Sequence, residues 1–285
     1  MIEPSILLSE IFLKKLKHQA LAIDLDGTLL DGRLIPTAHR DAVRLAIKKG
    51  FKVIIATARW RHMAEEIQRE LGCSDLIIAC NGAQLYDPVS GEDLVDHRLS
   101  ADLSNRFAQV VRAMPGFASA TTDHETLIQI APTTDTAEWS HPLRAVEQFP
   151  DFQKEAPRIL TVQGDQMVQA VMTAFATEPS DRLLMLESKG PSGETVLTLT
   201  TGSASKGNCL EVACSALNLG CDSVIAFGDS DGDLDLFQAA GLSVAMGQAR
   251  ESVRKAADIV TGANYENGIA TFLNAYFDGH FDGKF

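Results

Sequence analysis

The chain has 285 residues, 45% of them hydrophobic, and a net charge of −13 from 38 acidic and 25 basic side chains. That length allows one large or two modest domains with a sizeable core, and the composition is that of a soluble globular protein. The acidity argues against a nucleic-acid partner, whose phosphates need a basic patch, but not against a small phosphorylated ligand held by a divalent cation and a few basic groups.

Residues 1–18 are apolar in places, but Glu3, Glu10, Lys14, Lys15 and Lys17 interrupt them. A short amphipathic helix is expected there, with no membrane span. Leu21-Ala22-Ile23 then leads into Asp24-Leu25-Asp26-Gly27. An apolar run that ends in acids and a glycine reads as a buried parallel strand leaving its sheet. Alternation puts Asp24 and Asp26 on one side, at the strand end where open α/β sheets place ligands.

Pro36-Thr37 opens a helix that runs to Lys48-Lys49 and stops at Gly50. Residues 51–56 form a second buried strand ending in Thr57-Ala58-Arg59, and 60–71 a helix closed by Gly72. Residues 76–80 form a third strand ending in Asn81-Gly82-Ala83. Strand and helix in alternation imply a parallel sheet with right-handed crossovers.

The texture changes from Gln84. Tyr86 to Gly91 reads as a hairpin turn. A helical stripe of Leu103, Phe107, Val110, Val111 and Met114 follows. Strands are expected over 117–121, 126–131 and 158–162, helices over 136–149 and 165–177, and a hairpin of 183–188 with 195–200. This α+β block is expected to be an inserted domain.

The alternating pattern resumes at Ser203. Lys206 opens a helix reaching Leu219, and residues 223–227 form a strand ending in Gly228-Asp229-Ser230-Asp231-Gly232-Asp233. Shorter elements follow over 233–240, 242–245, 249–257 and 258–260, then a helix over 268–277. The five cysteines form no C-x-x-C pair, which speaks against a zinc site and for a reduced, cytoplasmic setting.

The D-x-D-G run, the Thr57-Ala58-Arg59 element, Lys206 at a helix start and the Gly228–Asp233 run occur in this order. Together they resemble the haloacid dehalogenase superfamily and, within it, the Cof-like phosphatases. The resemblance implies an α/β fold: a doubly wound, parallel-sheet, Rossmann-like core of residues 1–83 and 201–285, with an inserted α+β cap of 84–200. It also implies a Mg2+-dependent phosphatase for a small phosphorylated metabolite, sugar phosphates first. Asp24 would be the nucleophile that forms an aspartyl-phosphate, and Asp26 the acid and base. Thr57 and Lys206 would hold the phosphate. The Asp24 carboxylate, the Asp26 backbone carbonyl and the Asp229 carboxylate would hold Mg2+, with Asp233 and Gly232 in support. Ala58, Arg59, Asn81, Gly82 and Ala83 would line the substrate.

Two other readings fit the same residues. A phosphomutase would need a second phosphate site, for which Arg98, Arg106, Arg112, Arg144, Arg158 and Lys189 are scattered candidates. A non-catalytic metabolite-binding module could reuse the fold. The sequence departs from the Cof-like pattern at Ala58 (usually glycine), Gly232 (usually asparagine) and Gln248 (usually asparagine). Ser230 is the expected partial substitute for the side chain missing at 232.

Overall fold

The apolar runs at the head of the chain form buried parallel strands. The computed structural model describes residues 17–112, 114–123, 125–129, 143–190 and 193–281. In it, β1 (Ala20–Ile23) is wholly buried, and β2 (Lys52–Ala56) is buried except at Lys52. Between them α1 (Thr37–Lys48) turns His39, Ala42, Val43 and Ala46 inward at helical spacing. The next helix, α2 (Arg61–Leu71), ends at Gly72 in the left-handed conformation. The chain continues through β3 (Ile77–Ala79), β4 (Gln84–Asp87) and β5 (Glu92–Asp96).

The middle of the chain holds α3 (Ala101–Val111), β6 (Phe117–Thr121), β7 (Thr126–Gln129), β8 (Leu143–Val146), β9 (Ile159–Gln163), α4 (Asp165–Phe175), β10 (Leu184–Lys189) and β11 (Thr195–Thr200). The chain then returns to α/β alternation with α5 (Lys206–Ala216), β12 (Val224–Gly228), α6 (Leu234–Ala239), β13 (Leu242–Ala245), α7 (Glu251–Ala256), β14 (Ile259–Val260) and α8 (Gly268–Phe277).

These strands make two sheets. The first has the order β14-β13-β12-β1-β2-β3-β4-β5 and is parallel from β14 to β3. The second has the order β10-β11-β9-β6-β7-β8, antiparallel except for β7 with β8. Two compact units result: residues up to Leu94 with Ser205 onward, and Val95–Ala204.

The boundary expected at 83/84 thus falls later. The reason is that β4 pairs antiparallel with β3, Ile77 against Tyr86 and Ala79 against Gln84, and so stays in the first sheet. The helix expected over 136–149 is corrected too. Its described part contains β8, in register with β7 from Leu143 against Thr126 to Val146 against Gln129. Strand pairing overrode local helical spacing there. The rest of that helix and nearly all of the N-terminal one lie outside the described residues.

The second unit has its own core, in which Phe107, Phe149, Phe152 and Phe175 are buried with Leu160, Val162 and Leu199. Burial of each phenylalanine contributes about 1.5 to 3 kcal/mol. In the first unit, Phe227 meets Phe272 edge-on at 5.4 Å between ring centroids, which seats α8 on the sheet. No described helix is long and apolar enough to cross a membrane.

Register is what positions the site. Ile23 is level with Phe227 on one side and with Ile55 on the other. The residues just past these strand ends, Asp24, Thr57 and Asp229, therefore emerge from the same edge of one sheet.

Candidate active site

Asp24 ends β1, and its N–H donates to the Phe227 carbonyl at 3.1 Å. The chain then turns at Gly27, whose φ of +79° suits glycine. A Cβ at Gly27 would also lie 2.3 Å from Asp229 Oδ2, so only glycine lets this turn pass the acid. Thr28 Oγ1 donates to Asp229 Oδ1 at 3.2 Å, which ties the turn to the end of β12.

Lys206 comes from the first turn of α5. Ser205 caps that helix by accepting from Asn208 N–H, and its hydroxyl donates to Asp235 Oδ2 at 2.5 Å. The Lys206 ammonium donates to Asp24 Oδ1 at 2.8 Å and to Asp233 Oδ1 at 2.7 Å. All three side chains are buried, with Lys206 only 2% exposed. A lysine this deep is held charged by its partners: burial alone would lower its pKa, but Asp233 and Asp24 raise it overall.

The loop after β12 is wound around Asp233. Its Oδ2 accepts from Asp229 N–H at 3.1 Å, Ser230 N–H at 3.0 Å and the Ser230 hydroxyl at 3.0 Å. This is a capping box closing the short turn Asp231–Asp233. Asp233 is thus the anchor that presents Lys206 and Asp229. Ser230 is committed to that box, which corrects its expected role as stand-in for the side chain missing at 232. Gly232 lies within the turn and is not among the positive-φ glycines.

Asp26 takes a different partner from Asp24. Arg59 grips it with Nε at 2.7 Å from Oδ2 and Nη2 at 2.6 Å from Oδ1. Arg59, expected to line the substrate, has its guanidinium engaged with the second acid. Its backbone is fixed as well, because Arg59 N–H donates to Thr57 Oγ1 at 3.0 Å and its carbonyl accepts from Cys80 N–H at 2.9 Å. Thr57 is fully buried and Ala58 follows it, half-buried.

The turn after β3 runs through three successive positive-φ residues, Cys80, Asn81 and Gly82. A Cβ at Gly82 would fall 2.2 Å from the Ser205 carbonyl carbon, so this turn presses directly on the start of α5. Ala83 is buried behind it. Asn81 N–H donates to the Thr57 carbonyl at 3.0 Å, which joins the ends of β2 and β3.

Asp24, Asp229 and Asp233 each offer a carboxylate oxygen, all within 4.8 Å of one another. Burial pushes the Asp24 carboxyl well above its usual range, opposed by Lys206 and reinforced by Asp233 and Asp229. Asp229 is pushed up to about 7, by burial first and then by Asp233. Three crowded acids with one lysine between them fit a hard divalent cation, whose ligands are oxygens. Asp24 and Asp229 are the carboxylates that could hold one, since Asp233 already accepts from four donors.

The sequence profile of the haloacid dehalogenase-like hydrolases matches residues 21–273. The chain belongs to that family. It is similar to 5-amino-6-(5-phospho-D-ribitylamino)uracil phosphatase YcsE of Bacillus subtilis, 28% identical over 88% of this chain and 92% of that protein. It is also similar to pyridoxal phosphate phosphatase YbhA of Escherichia coli, 29% identical over 90% of this chain and 98% of that one. Among solved structures, a haloacid dehalogenase-like hydrolase from Bacteroides thetaiotaomicron superposes with a TM-score of 0.76 at 22% identity, covering 90% of this chain and 98% of that one. The resemblance read from the motifs is therefore a family membership, and the Rossmann-like α/β core is shared with the family's solved structures. The protein is an enzyme of that hydrolase family.

Thr28, Ser205 and Asn264 belong to no motif singled out in the sequence, and Gln248 stands out there only as a departure from the Cof-like pattern. The one advance signal was the cap position of Ser205 before Lys206.

Proposed function

We propose that this chain is a Mg2+-dependent phosphatase for small phosphorylated metabolites, working through an aspartyl-phosphate on Asp24. The reading rests on the buried Lys206 bridging Asp24 and Asp233, with Asp229 alongside. Lys206 binds Oδ1 of Asp24, so Oδ2 is the attacking atom. Attack on phosphorus forms the acyl-phosphate bond and breaks the ester bond, and Asp26 gives its proton to the leaving oxygen. Water then attacks the phosphoaspartate, Asp26 takes the water's proton, and inorganic phosphate leaves. When bound by Asp24, the Asp26 carbonyl and Asp229, Mg2+ supplies positive charge that offsets the repulsion between carboxylate and phosphate. Thr57 and Lys206 add donors to the phosphate oxygens. Ala58, Asn81, Gly82 and Ala83 lie on the two turns that border this edge of the sheet.

Sugar phosphates are the favoured substrates. The relatives' named substrates, a ribitylaminouracil phosphate and pyridoxal phosphate, extend the panel to heteroaromatic phosphates. Four of the arginines that a phosphomutase could draw on for a second phosphate site already have acidic partners. Arg98, Arg106, Arg144 and Arg158 each sit in an ion pair with an aspartate or glutamate.

The test is phosphate release from such a panel with Mg2+ and after chelation. Turnover that needs Mg2+ and disappears in Asp24→Asn is the expected result. Full turnover after exhaustive chelation would overturn the Mg2+ reading, and isomer formation without phosphate release would overturn the phosphatase reading.

A further inference from the structure

Gln248 sits in the Met246-Gly247-Gln248-Ala249 loop after β13. Its side-chain amide joins two separate segments of the first unit. Nε2 donates to the Gly27 carbonyl, on the turn that follows Asp24 and Asp26. Oε1 accepts from Asn264 N–H at 3.1 Å, and Asn264 Nδ2 in turn donates to the Leu30 carbonyl at 2.7 Å.

The turn at Gly27 and the acid at 229 are in van der Waals contact, with no room between them for a Cβ. Their relative position is therefore set by whatever fixes both. Thr28 ties the two together directly, and Gln248 holds the Gly27 end of the pair. A primary amide suits this place because its nitrogen donates to the Gly27 carbonyl while its oxygen accepts from Asn264 N–H. Partners of this kind orient the groups that ligate a metal without touching the metal themselves.

The geometry points to Gln248 as a positioning residue of the cation site, holding the Gly27 turn, which follows Asp26 and packs on Asp229, at the spacing that a divalent cation requires. This inference rests on the Mg2+ site proposed above. It gives the glutamine found in place of the usual asparagine a specific task, since the longer arm is what spans from Asn264 to Gly27.

The experiment compares wild type with Gln248→Met, which keeps length and volume but removes the donor and the acceptor. Mg2+ is titrated into each protein by calorimetry, and the rise of melting temperature with added Mg2+ is followed in parallel. The expected result is Mg2+ affinity weaker by about ten- to a hundredfold in the variant. The half-saturating Mg2+ concentration for turnover should rise by a similar factor, well beyond any change in KM for substrate. A merely structural role would lower the melting temperature without that split. Wild-type Mg2+ affinity in folded Gln248→Met would overturn the inference. Should the methionine variant fail to fold, Gln248→Asn replaces it: weakened affinity supports the inference and wild-type affinity overturns it. If wild type itself binds no Mg2+, the cation reading fails first and this inference falls with it.

Discussion

Arg59 holds both carboxylate oxygens of Asp26, with Nε and Nη2 at 2.7 and 2.6 Å. A bidentate clamp of this kind fixes direction as well as charge. It matters here because the Asp26 side chain is 48% exposed and has freedom to turn away. Arg59→Ala should therefore slow hydrolysis of esters with poor leaving groups by about tenfold or more, a part of the 10² to 10⁴ that a placed acid contributes. Activated aryl phosphates should be affected much less. A plot of rate against leaving-group acidity checks this, and equal loss across the series would remove the positioning role from Arg59.

Asp24 and Lys206 should respond to mutation in opposite ways. Asp24→Asn removes one acid from a crowded cluster and leaves Lys206 paired with Asp233, so the fold should persist while phosphoenzyme formation stops. Lys206→Met leaves Asp24 and Asp233 buried without their cation, a loss of about 3 to 5 kcal/mol for breaking such a pair from one side. Denaturant melts of the two variants, read beside phosphate release, test the contrast. A Lys206→Met protein as stable as wild type would contradict it.

His18 should make stability depend on pH. It is buried, its Nδ1 lies 2.9 Å from the Tyr276 hydroxyl, and its Nε2 has no hydrogen-bond partner among the described residues. Burial first, then nearby Lys17, lower its pKa from 6.5 to about 4, against a small opposing pull from Asp222. The unfolded chain thus takes up the proton before the folded one. The stabilisation is present above about pH 6.5 and is lost as pH falls toward 4, on the order of 3 kcal/mol in all. The melting curves of wild type and His18→Gln, compared from pH 7 to 4, should converge at the acid end. A constant gap between them would show that His18 does not titrate this way.

Gly232 has no side chain to donate, and the Ser230 hydroxyl is spent on Asp233. With no positive φ at 232, an asparagine there meets no backbone strain. Gly232→Asn should raise kcat/KM by up to about tenfold, the equivalent of one hydrogen bond of about 1.4 kcal/mol. Gly232→Ala is the control for backbone effects. An Asn variant that folds but is slower than the Ala variant would show that the glycine serves a local geometry of its own.

Much of the framework was legible because single strands and helices announce themselves. The apolar run ending in Asp24, the start of α5 at Lys206 and the strand ending before Asp229 all rest on local patterns. What escaped depended on distant partners. β8 is a strand only because β7 lies beside it, and 84–94 belongs to the first sheet only because β4 folds back on β3. The commitment of Ser230 to Asp233 and the reach of Gln248 to Gly27 are likewise side-chain contacts that no periodicity reveals. The Arg59 grip on Asp26 belongs with these, since a motif says which residue is present but not which acid it holds.

The raised pKa of Asp229 has a consequence for how this protein can change over time. In the metal-free chain its charge is unfavourable in the folded state, so Asp229→Asn should raise the melting temperature in chelator at neutral pH while ending turnover. Among variants at this position, a thermostability screen without Mg2+ would favour the inactive protein, and only selection for activity would keep the acid. Proteins of this fold that have lost that selection should drift toward neutral residues at 229 before other parts of the sheet edge decay.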